Sequence, residues 1–433
     1  MGGSAALGLA AAAAVAWLLL RARRRGFDPL CRRRMLTVKY DLAPAVAHGA
    51  LPMHIADMDL PCCASIHRAI CARAAHPTFG YTIQPTVGWA RVARWHTEVH
   101  GCRVTPEMFC FSASVITSVC NLIDLLTEPG DGVLVMTPLF APLTRVIIGC
   151  GRKLVAHPLH AGADGVYEMD VDRLERALPA ARALLLCSPH NPGGRVWSAA
   201  ELRDLARACA THGVSVIADE IWADWALWGC AHVPFHRVAE GVARDAPLAY
   251  ACLGAPTKTW NLAGLHCTYV LLPQPTLRDR YLAHVAHAFL HYGSAFATCA
   301  LLGAYGHEGA RWLAATKALV EANYALLVEA LRAGAAEIAP MRPQATYLVW
   351  LDCTALAAAL RLGSPAELND FVLGEARLVL APGDEFGDAR CGFYQRINIA
   401  CERRVVAEAA ERLVGAVARR RAELRAAATG RDG

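Results

Sequence analysis

The sequence has no CxxC pair, although it contains 17 cysteines among 433 residues. Cysteines at short, regular spacings are typical of structural zinc sites, and extracellular disulfide frameworks usually hold an even number of cysteines. Three of the cysteines, Cys187, Cys252 and Cys267, lie inside apolar runs that are typical of buried strands. We therefore interpret the cysteines as core thiols in a reducing compartment, and we expect neither disulfides nor a bound metal ion.

The sequence also lacks a large excess of one charge, since its formal net charge is +5 and charged residues make up 19%. Much of the excess comes from arginines in residues 21–34 and 419–425, whereas the middle of the chain is nearly balanced. Proteins that bind nucleic acid usually concentrate positive charge on one face, so nucleic acid is not an expected partner. Hydrophobic residues make up 55%, which excludes a disordered chain and allows two or three domains.

One long uncharged run does occur, in residues 5–20, and an arginine-rich stretch follows it at once. The run is slightly shorter than the ~20 residues that a membrane-spanning helix needs. A secretory signal would carry its positive charges before the apolar run. Charges after the run favour a membrane anchor within residues 1–26, with the enzyme on the cytoplasmic side. The alternatives are an alanine-rich extension and a cleaved presequence, which would leave a soluble cytoplasmic or organellar protein.

From about Phe27 onward, strand-like runs alternate with helical patterns. The apolar runs that predict strands are residues 132–138, 181–189, 214–219, 248–254 and 267–273. One helical pattern between them starts after Ser198, a suitable N-cap, and stops at Gly213. This alternation predicts an α/β fold with a mainly parallel sheet covered by helices. Ligands bind such sheets at the carboxyl ends of the strands, so the residues after each strand are candidate site residues.

Polar and aromatic side chains follow four of the predicted strands. Phe140 follows the first and Asn191 the second, Asp219 ends the third, and Lys258 follows the fourth. Lys258 lies between two apolar runs, and burying an ammonium group costs several kcal/mol unless something compensates it. Proteins keep such a lysine when they need its neutral amine, most often to form a Schiff base.

A predicted helix that stops near Gly130 begins after Ser112 and Ser114, where backbone N–H groups and hydroxyls can bind an anion. Together with Lys258, Asp219 and Phe140, this start supplies a phosphate cradle, a Schiff-base lysine, a carboxylate and a flat aromatic ring. Pyridoxal phosphate needs such a set, because a carboxylate keeps its ring nitrogen protonated. Each residue alone fits an ordinary helix cap, turn or core position, but their order along the strands favours a cofactor site.

Nine segments carry a resemblance to a known family. They are IADMDLP (55–61), FGYT (79–82), SASVITSV (112–119), EPGDGVLVMTPLFAPL (128–143), LLLCSPHNPGGRVW (184–197), ADEI (218–221), APTKTWNLAGL (255–265), PQATYLVWLD (343–352) and GFYQRINIAC (392–401). Through these segments, residues 27–417 resemble the fold-type-I pyridoxal-phosphate enzymes of the class I/II aminotransferase superfamily. Among these enzymes, the sequence is similar to the MalY/PatB cystathionine β-lyase branch.

The resemblance implies a three-layer α/β/α large domain with a mainly parallel mixed sheet, and a smaller α+β domain. The large, cofactor-binding domain is expected in residues 76–305, and the small domain in residues 27–75 and 306–420. A basic tail is expected in residues 421–433. The resemblance also implies a homodimer with shared active sites, in which Tyr81 reaches the phosphate of the neighbouring subunit.

The resemblance assigns roles to the other candidate residues. Lys258 would hold the cofactor and move protons, Asp219 would pair with the ring nitrogen, Asn191 would bind the phenolic oxygen, and Phe140 would stack on the ring. Arg396 would bind the substrate carboxylate through its planar fork. The phosphate would be held by residues at the helix start and beside the lysine, namely Ser112, Ala113, Ser114, Val115 and Thr257.

Three positions bear on the reaction that the resemblance implies. Many aminotransferases of this fold have an arginine eight residues after the lysine, where this sequence has His266, whereas Asn261 matches the lyase branch. Trp222 stands near the phenolic oxygen where tyrosine or histidine is common, and an indole N–H can donate but not ionise. We expect a lyase that cleaves cystathionine or related cysteine S-conjugates. An amino-acid aminotransferase is the first alternative, and a non-catalytic regulatory binding protein is the second.

Overall fold

The computed structural model describes residue 32 and residues 35–83, 86–162 and 165–429. Within these ranges, no helix is long and apolar enough to cross a membrane. The hydrophobic run of residues 5–20 lies outside the described residues, so the proposed anchor stays a prediction.

Strands are distributed along the described chain from residue 51 to residue 398. They are β1 (Leu51–Pro52), β2 (Phe109–Ser112), β3 (Gly132–Thr137), β4 (Lys153–Pro158), β5 (His160–Ala161), β6 (Tyr167–Glu168), β7 (Ala183–Cys187), β8 (Ser215–Asp219), β9 (Tyr250–Gly254), β10 (Thr268–Leu271), β11 (Ala339–Pro340), β12 (Leu348–Asp352), β13 (Leu378–Val379), β14 (Ala381–Pro382) and β15 (Tyr394–Asn398).

Helices connect most of these strands. They are α1 (Val38–Asp41), α2 (Pro44–Ala47), α3 (Ala64–Ala74), α4 (Thr86–His100), α5 (Val115–Leu126), α6 (Ala141–Gly149), α7 (Val171–Glu175), α8 (Ala199–Thr211), α9 (Phe235–Asp245), α10 (Pro256–Thr259), α11 (Pro275–His287), α12 (Ala295–Ala304), α13 (His307–Gly334), α14 (Thr354–Ala359), α15 (Pro365–Asp370) and α16 (Arg403–Thr429).

The large domain is built on a seven-stranded sheet with the order β2-β10-β9-β8-β7-β3-β4. Strands β9, β8, β7, β3 and β4 run parallel, whereas β10 pairs antiparallel with both β2 and β9. Because β2 and β9 both oppose β10, β2 points the same way as the parallel strands. The carboxyl ends of β2, β3, β7, β8 and β9 therefore lie along one edge of the sheet.

Helices cover both faces of this sheet, because successive side chains of a strand point to opposite faces. On β3, Val133 and Val135 pack in one apolar cluster with residues of α5, α6 and α11. The intervening Leu134 packs in a second cluster with residues of α8 and α9. The result is a three-layer α/β/α arrangement, as predicted.

The small domain contains a four-stranded antiparallel sheet with the order β11-β12-β15-β14. The long helices α13 and α16 pack on each other beside it. Asn323 of α13 donates hydrogen bonds to the carbonyl oxygens of Ile399 and Cys401, both at 2.9 Å, which ties this helix to the end of β15.

The chain segment 54–60 joins the two domains next to the predicted site. Asn398 at the end of β15 donates to the carbonyl oxygens of Ile55 and Asp57, at 2.7 and 2.6 Å. From the large domain, Asn261 accepts from the backbone N–H of Met58 and donates to its carbonyl, both at 3.0 Å. The segment is therefore held from both sides by side-chain amides.

The predicted secondary structure is largely confirmed. All five predicted strands are present, and α8 starts after Ser198 with a complete capping box and ends just before Gly213, which has φ +65°. The helix after Ser114 ends at Leu126, four residues earlier than expected, because Thr127 is already extended. Helix α16 continues to Thr429, so most of the expected basic tail is helical. The domain boundaries stay a prediction.

Candidate active site

A cleft of about 210 Å³ lies at the carboxyl ends of the parallel strands. Nine of the predicted site residues line it: Ala113, Ser114, Val115, Phe140, Asn191, Asp219, Trp222, Thr257 and Lys258. A wider groove of about 1000 Å³, bordered by Trp228 and Tyr324, contains none of the predicted residues. The chemistry of the lining, rather than the volume, therefore identifies the smaller cleft as the candidate site.

Lys258 lies in the short helix α10, directly after β9. Its Nζ donates a hydrogen bond to the carbonyl oxygen of Ala56 at 2.7 Å and lies 5.8 Å from the centroid of the Trp222 ring. Burial lowers the pKa of this amine to about 8, although the nearby carboxylates of Asp57 and Asp219 oppose the shift. A substantial fraction of the amine is therefore neutral near pH 8, as a nucleophile requires.

Asp219 ends β8, and its side chain is buried. The backbone N–H of Ile221 donates to its Oδ1 at 3.1 Å, and no cationic side chain in the described part of the chain lies within 4 Å of it. Burial raises the pKa of this carboxyl to about 7. A buried carboxyl with so little compensation fits a cationic N–H group such as a protonated pyridine nitrogen.

The start of α5 forms the predicted anion cradle. Ser114 is the N-cap, and its Oγ accepts from the backbone N–H of Thr117 at 3.0 Å. The N–H groups of Val115 and Ile116 then have no acceptor within the helix, and both residues line the cleft together with Thr257. This arrangement suits a phosphate group at the positive end of the helix dipole.

Ser112 differs from its predicted neighbours. It is buried outside the cleft lining, and its hydroxyl donates to the carbonyl oxygen of Ser114 at 3.3 Å. This position follows from the strand: Ser112 is the last residue of β2, whereas Ala113 and Ser114 form the turn into α5. Ser112 therefore stabilises the turn that leads into α5 and does not itself face the cleft.

Arg396 lies on β15 of the small domain, outside the lining of the cleft, and contacts the lining residue Asn191. It is buried, and its guanidinium donates to Asn191 Oδ1 and to the carbonyl oxygen of His54, both at 3.0 Å. Its Nε has no hydrogen-bond partner, and no carboxylate within the described ranges lies within 4 Å of its guanidinium. Burial lowers its pKa to about 10. Since the guanidinium engages Asn191 Oδ1, the Nδ2 group of Asn191 is left to donate elsewhere.

The site also uses two residues that the sequence did not single out. The Ala56 carbonyl oxygen accepts from Lys258 and also from the Tyr347 hydroxyl, at 3.0 Å. Tyr347 meets the buried ring of Trp222 edge-on, with centroids 4.8 Å apart. Both residues lie inside motif segments, 55–61 and 343–352, which is the signal that could have identified them.

Tyr81 does not line the cleft of its own chain. It is 86% exposed and packs against Tyr292, with ring centroids 5.2 Å apart. A side chain that serves a neighbouring subunit would be exposed in a single chain, so this position is compatible with the expected role. That role stays a prediction.

Comparison with known proteins gives a consistent result. Residues 78–413 match the sequence family described as aminotransferase class I and II. The chain is 34% identical over 370 residues to cystathionine beta-lyase PatB of Bacillus subtilis, covering 85% of this chain and 92% of that protein. It is 32% identical over 377 residues to Protein MalY of Escherichia coli, covering 85% and 91%.

Solved structures share the fold. Cystalysin from Treponema denticola, which contains a pyridoxal 5'-phosphate cofactor, has a TM-score of 0.82 and 26% identity over 89% of this chain and 97% of that chain. A pyridoxal-phosphate-bound putative aminotransferase from Clostridium difficile has a TM-score of 0.84 and 29% identity, with the same coverage.

Proposed function

Because this chain belongs to the aminotransferase class I and II family, of fold type I, we propose that it is a carbon–sulfur β-lyase. Its substrate is cystathionine or a related cysteine S-conjugate, which it converts to a thiol, pyruvate and ammonia. Its relatives named as cystathionine beta-lyases support the reaction, and so does Asn261, which matches the lyase branch and fixes segment 54–60 beside Lys258.

The cofactor is pyridoxal 5'-phosphate, and the cleft fits each part of it. The free N–H groups at the start of α5 and the Thr257 hydroxyl would hold the phosphate, and Asp219 would hold the proton on the ring nitrogen. Asn191 would donate through Nδ2 to the phenolic oxygen, and Phe140 would cover the ring. When bound, the cofactor supplies an electron sink next to the α-carbon of the substrate.

Side chains of the protein carry out substrate binding and proton transfer. Arg396 binds the α-carboxylate and orients the substrate, while Lys258 Nζ removes the α-proton. The Lys258 ammonium formed in this step would return the proton to the departing sulfur. Trp222 lines the cleft beside Lys258, and Tyr347 packs edge-on against the Trp222 ring.

One observation supports an α-amino acid as the substrate: the buried guanidinium of Arg396 has no carboxylate partner in the described chain. An unpaired buried cation costs several kcal/mol, and such a site is retained when a ligand completes it. A bidentate α-carboxylate satisfies both the charge and the unpartnered Nε of this arginine.

An aminotransferase is the second candidate, because the putative aminotransferase structure is as similar as the lyases and the same residues serve both reactions. The presence of Lys258, Asp219, Asn191 and Arg396 together disfavours a purely non-catalytic binding protein. Family enzymes of this kind assemble as dimers, and we expect a homodimer in which the exposed Tyr81 completes the neighbouring cleft.

Thiol release over many turnovers separates the two reactions. With cystathionine and no added keto acid, the lyase releases thiol and pyruvate in equal amounts and continues past one turnover per site. An aminotransferase stops after one half-reaction until a keto acid is supplied. Turnover that depends on keto acid and yields no thiol would refute the lyase. The Lys258→Ala variant is the control, since it should release neither product.

A further inference from the structure

Two cysteines outside the cleft contact each other. Cys120 lies in the second turn of α5, and Cys150 follows the last residue of α6 as its C-cap. Their sulfur atoms are 3.4 Å apart, and both residues are half-buried rather than enclosed in the core. The half-buried positions of this pair depart from the interpretation of the cysteines as core thiols, and their separation of 30 residues in the sequence did not predict the contact.

A metal ion does not suit this position. Asp124 is the third potential ligand, within 4.8 Å of both sulfurs. However, its Oδ1 accepts from the guanidinium of Arg152 at 2.9 Å, which neutralises the carboxylate and places a fixed positive charge beside it. Two thiols then remain, whereas protein zinc sites have three or four protein ligands.

We propose that Cys120 and Cys150 form a reversible thiol–disulfide site, which low-molecular-weight disulfides oxidise and low-molecular-weight thiols reduce. The sulfurs need to approach by about 1.4 Å to reach the disulfide bond length of about 2.05 Å. Both cysteines lie where α5 and α6 pack against each other, so the two sulfurs already face each other at 3.4 Å.

The reaction takes place in two steps. One cysteine loses its proton and attacks one sulfur of the small disulfide, forming a mixed disulfide and releasing a thiolate. The other cysteine then loses its proton, attacks the sulfur of the first cysteine and releases the second thiolate. The two cysteines lose two electrons, and their two protons convert the released thiolates to thiols.

The disulfide would hold together two helices that position the cofactor site, and it would take no part in the reaction itself. It would join α5, which begins after Ser114, to α6, which begins after Phe140. Closing a 30-residue loop also restricts the unfolded chain. The oxidised protein is therefore expected to be more stable, and this effect does not depend on the lyase reaction.

The holoenzyme can be incubated with glutathione disulfide, digested without reduction and mapped by mass spectrometry. The wild type should give the linked Cys120–Cys150 peptide, and its unfolding temperature should rise by several degrees and return after reduction. Cys150→Ser and Cys120→Ser should accumulate glutathione on the cysteine that remains, because the second step cannot follow the first. Cys71→Ser removes an exposed thiol on α3, outside the Cys120–Cys150 contact, and should leave the linked peptide unchanged.

Three results would overturn the proposal. The first is the absence of the linked peptide under conditions that fully modify Cys71. The second is the absence of glutathione from the remaining cysteine in both Cys150→Ser and Cys120→Ser. The third is stoichiometric zinc that protects both thiols, which would make the pair a metal site.

Discussion

Two buried aspartates, five residues apart in the chain, have opposite environments. Asp224 accepts three side-chain hydrogen bonds at 2.8 Å, from Trp95, His100 and Thr259. Burial alone would raise the pKa of Asp224, but the bonds from His100, Trp95 and Thr259 outweigh burial and hold the pKa well below its usual range. Asp219 receives a single backbone N–H, and burial raises its pKa to about 7.

The difference separates a structural charge from a functional one. The Asp224 carboxylate is satisfied by the protein itself and fixes Thr259, the residue next to Lys258. Asp219 is left incomplete, and so is Arg396 across the cleft, whose guanidinium has no carboxylate partner within the described chain. An aspartate and an arginine that the fold buries but does not pair with opposite charge are the groups that a cofactor and a charged substrate complete.

The largest effect is expected from Asp219→Asn. Removing the charge leaves the ring nitrogen unprotonated, so the turnover rate should fall roughly 10³-fold, which is about 4 kcal/mol in barrier height. Cofactor absorbance and the unfolding midpoint should stay near those of the wild type, because the amide fits the same space. Near-normal turnover in this variant would remove Asp219 from the reaction.

Arg396→Ala should rank next. Loss of the contact with the α-carboxylate should lower kcat/KM roughly 10²-fold for lyase and transamination activity alike. This corresponds to about 3 kcal/mol of lost transition-state stabilisation. Arg404→Ala is the matched control, because Arg404 is exposed and pairs with Glu402 at the surface. If both variants lose the same amount of activity, Arg396 does not bind the substrate.

Replacing the other aspartate, Asp224, by asparagine should lower the stability of the protein. Asp224→Asn turns an acceptor into a donor that faces Thr259, so the free energy of unfolding should fall by about 2–3 kcal/mol. Turnover per folded molecule, measured at low temperature, should fall only a few-fold. Denaturant unfolding of both asparagine variants gives the comparison directly; a larger stability loss at Asp219 than at Asp224 would contradict it.

The last prediction concerns pH and applies only to the cofactor-free protein. In the cofactor-free protein the Asp219 carboxyl has a folded pKa of about 7, above its unfolded value of about 4. Its contribution to stability is therefore complete below pH 4 and is lost as pH rises to about 7, with a slope of at most about 1.4 kcal/mol per pH unit. The unfolding free energy of the wild type minus that of Asp219→Asn should decline across this window. If this difference in unfolding free energy does not change with pH across the window, Asp219 is not held in its neutral form.

Much of this site could be predicted because it depends on local sequence. Each strand end is marked by an apolar run followed by a polar residue. Asn191, Asp219 and Lys258 could therefore be predicted as site residues without knowledge of any long-range contact. The unpredicted parts depend on long-range contacts. The carbonyl of Ala56 reaches Lys258 across 202 residues, and Ser112 and Ser114, two residues apart, face different surroundings once β2 ends.

Mapping the lysine that binds the cofactor tests the central claim most directly. The sequence has four lysines, and Lys39 is a matched control, since its side chain is buried and its Nζ is paired with Asp59 at 2.7 Å. The holoenzyme should be reduced with borohydride, digested and analysed by mass spectrometry. We predict that the reduced cofactor is attached to Lys258 alone and that Lys258→Ala carries none. Attachment to Lys39 or to another lysine, or persistent attachment in Lys258→Ala, would contradict the account.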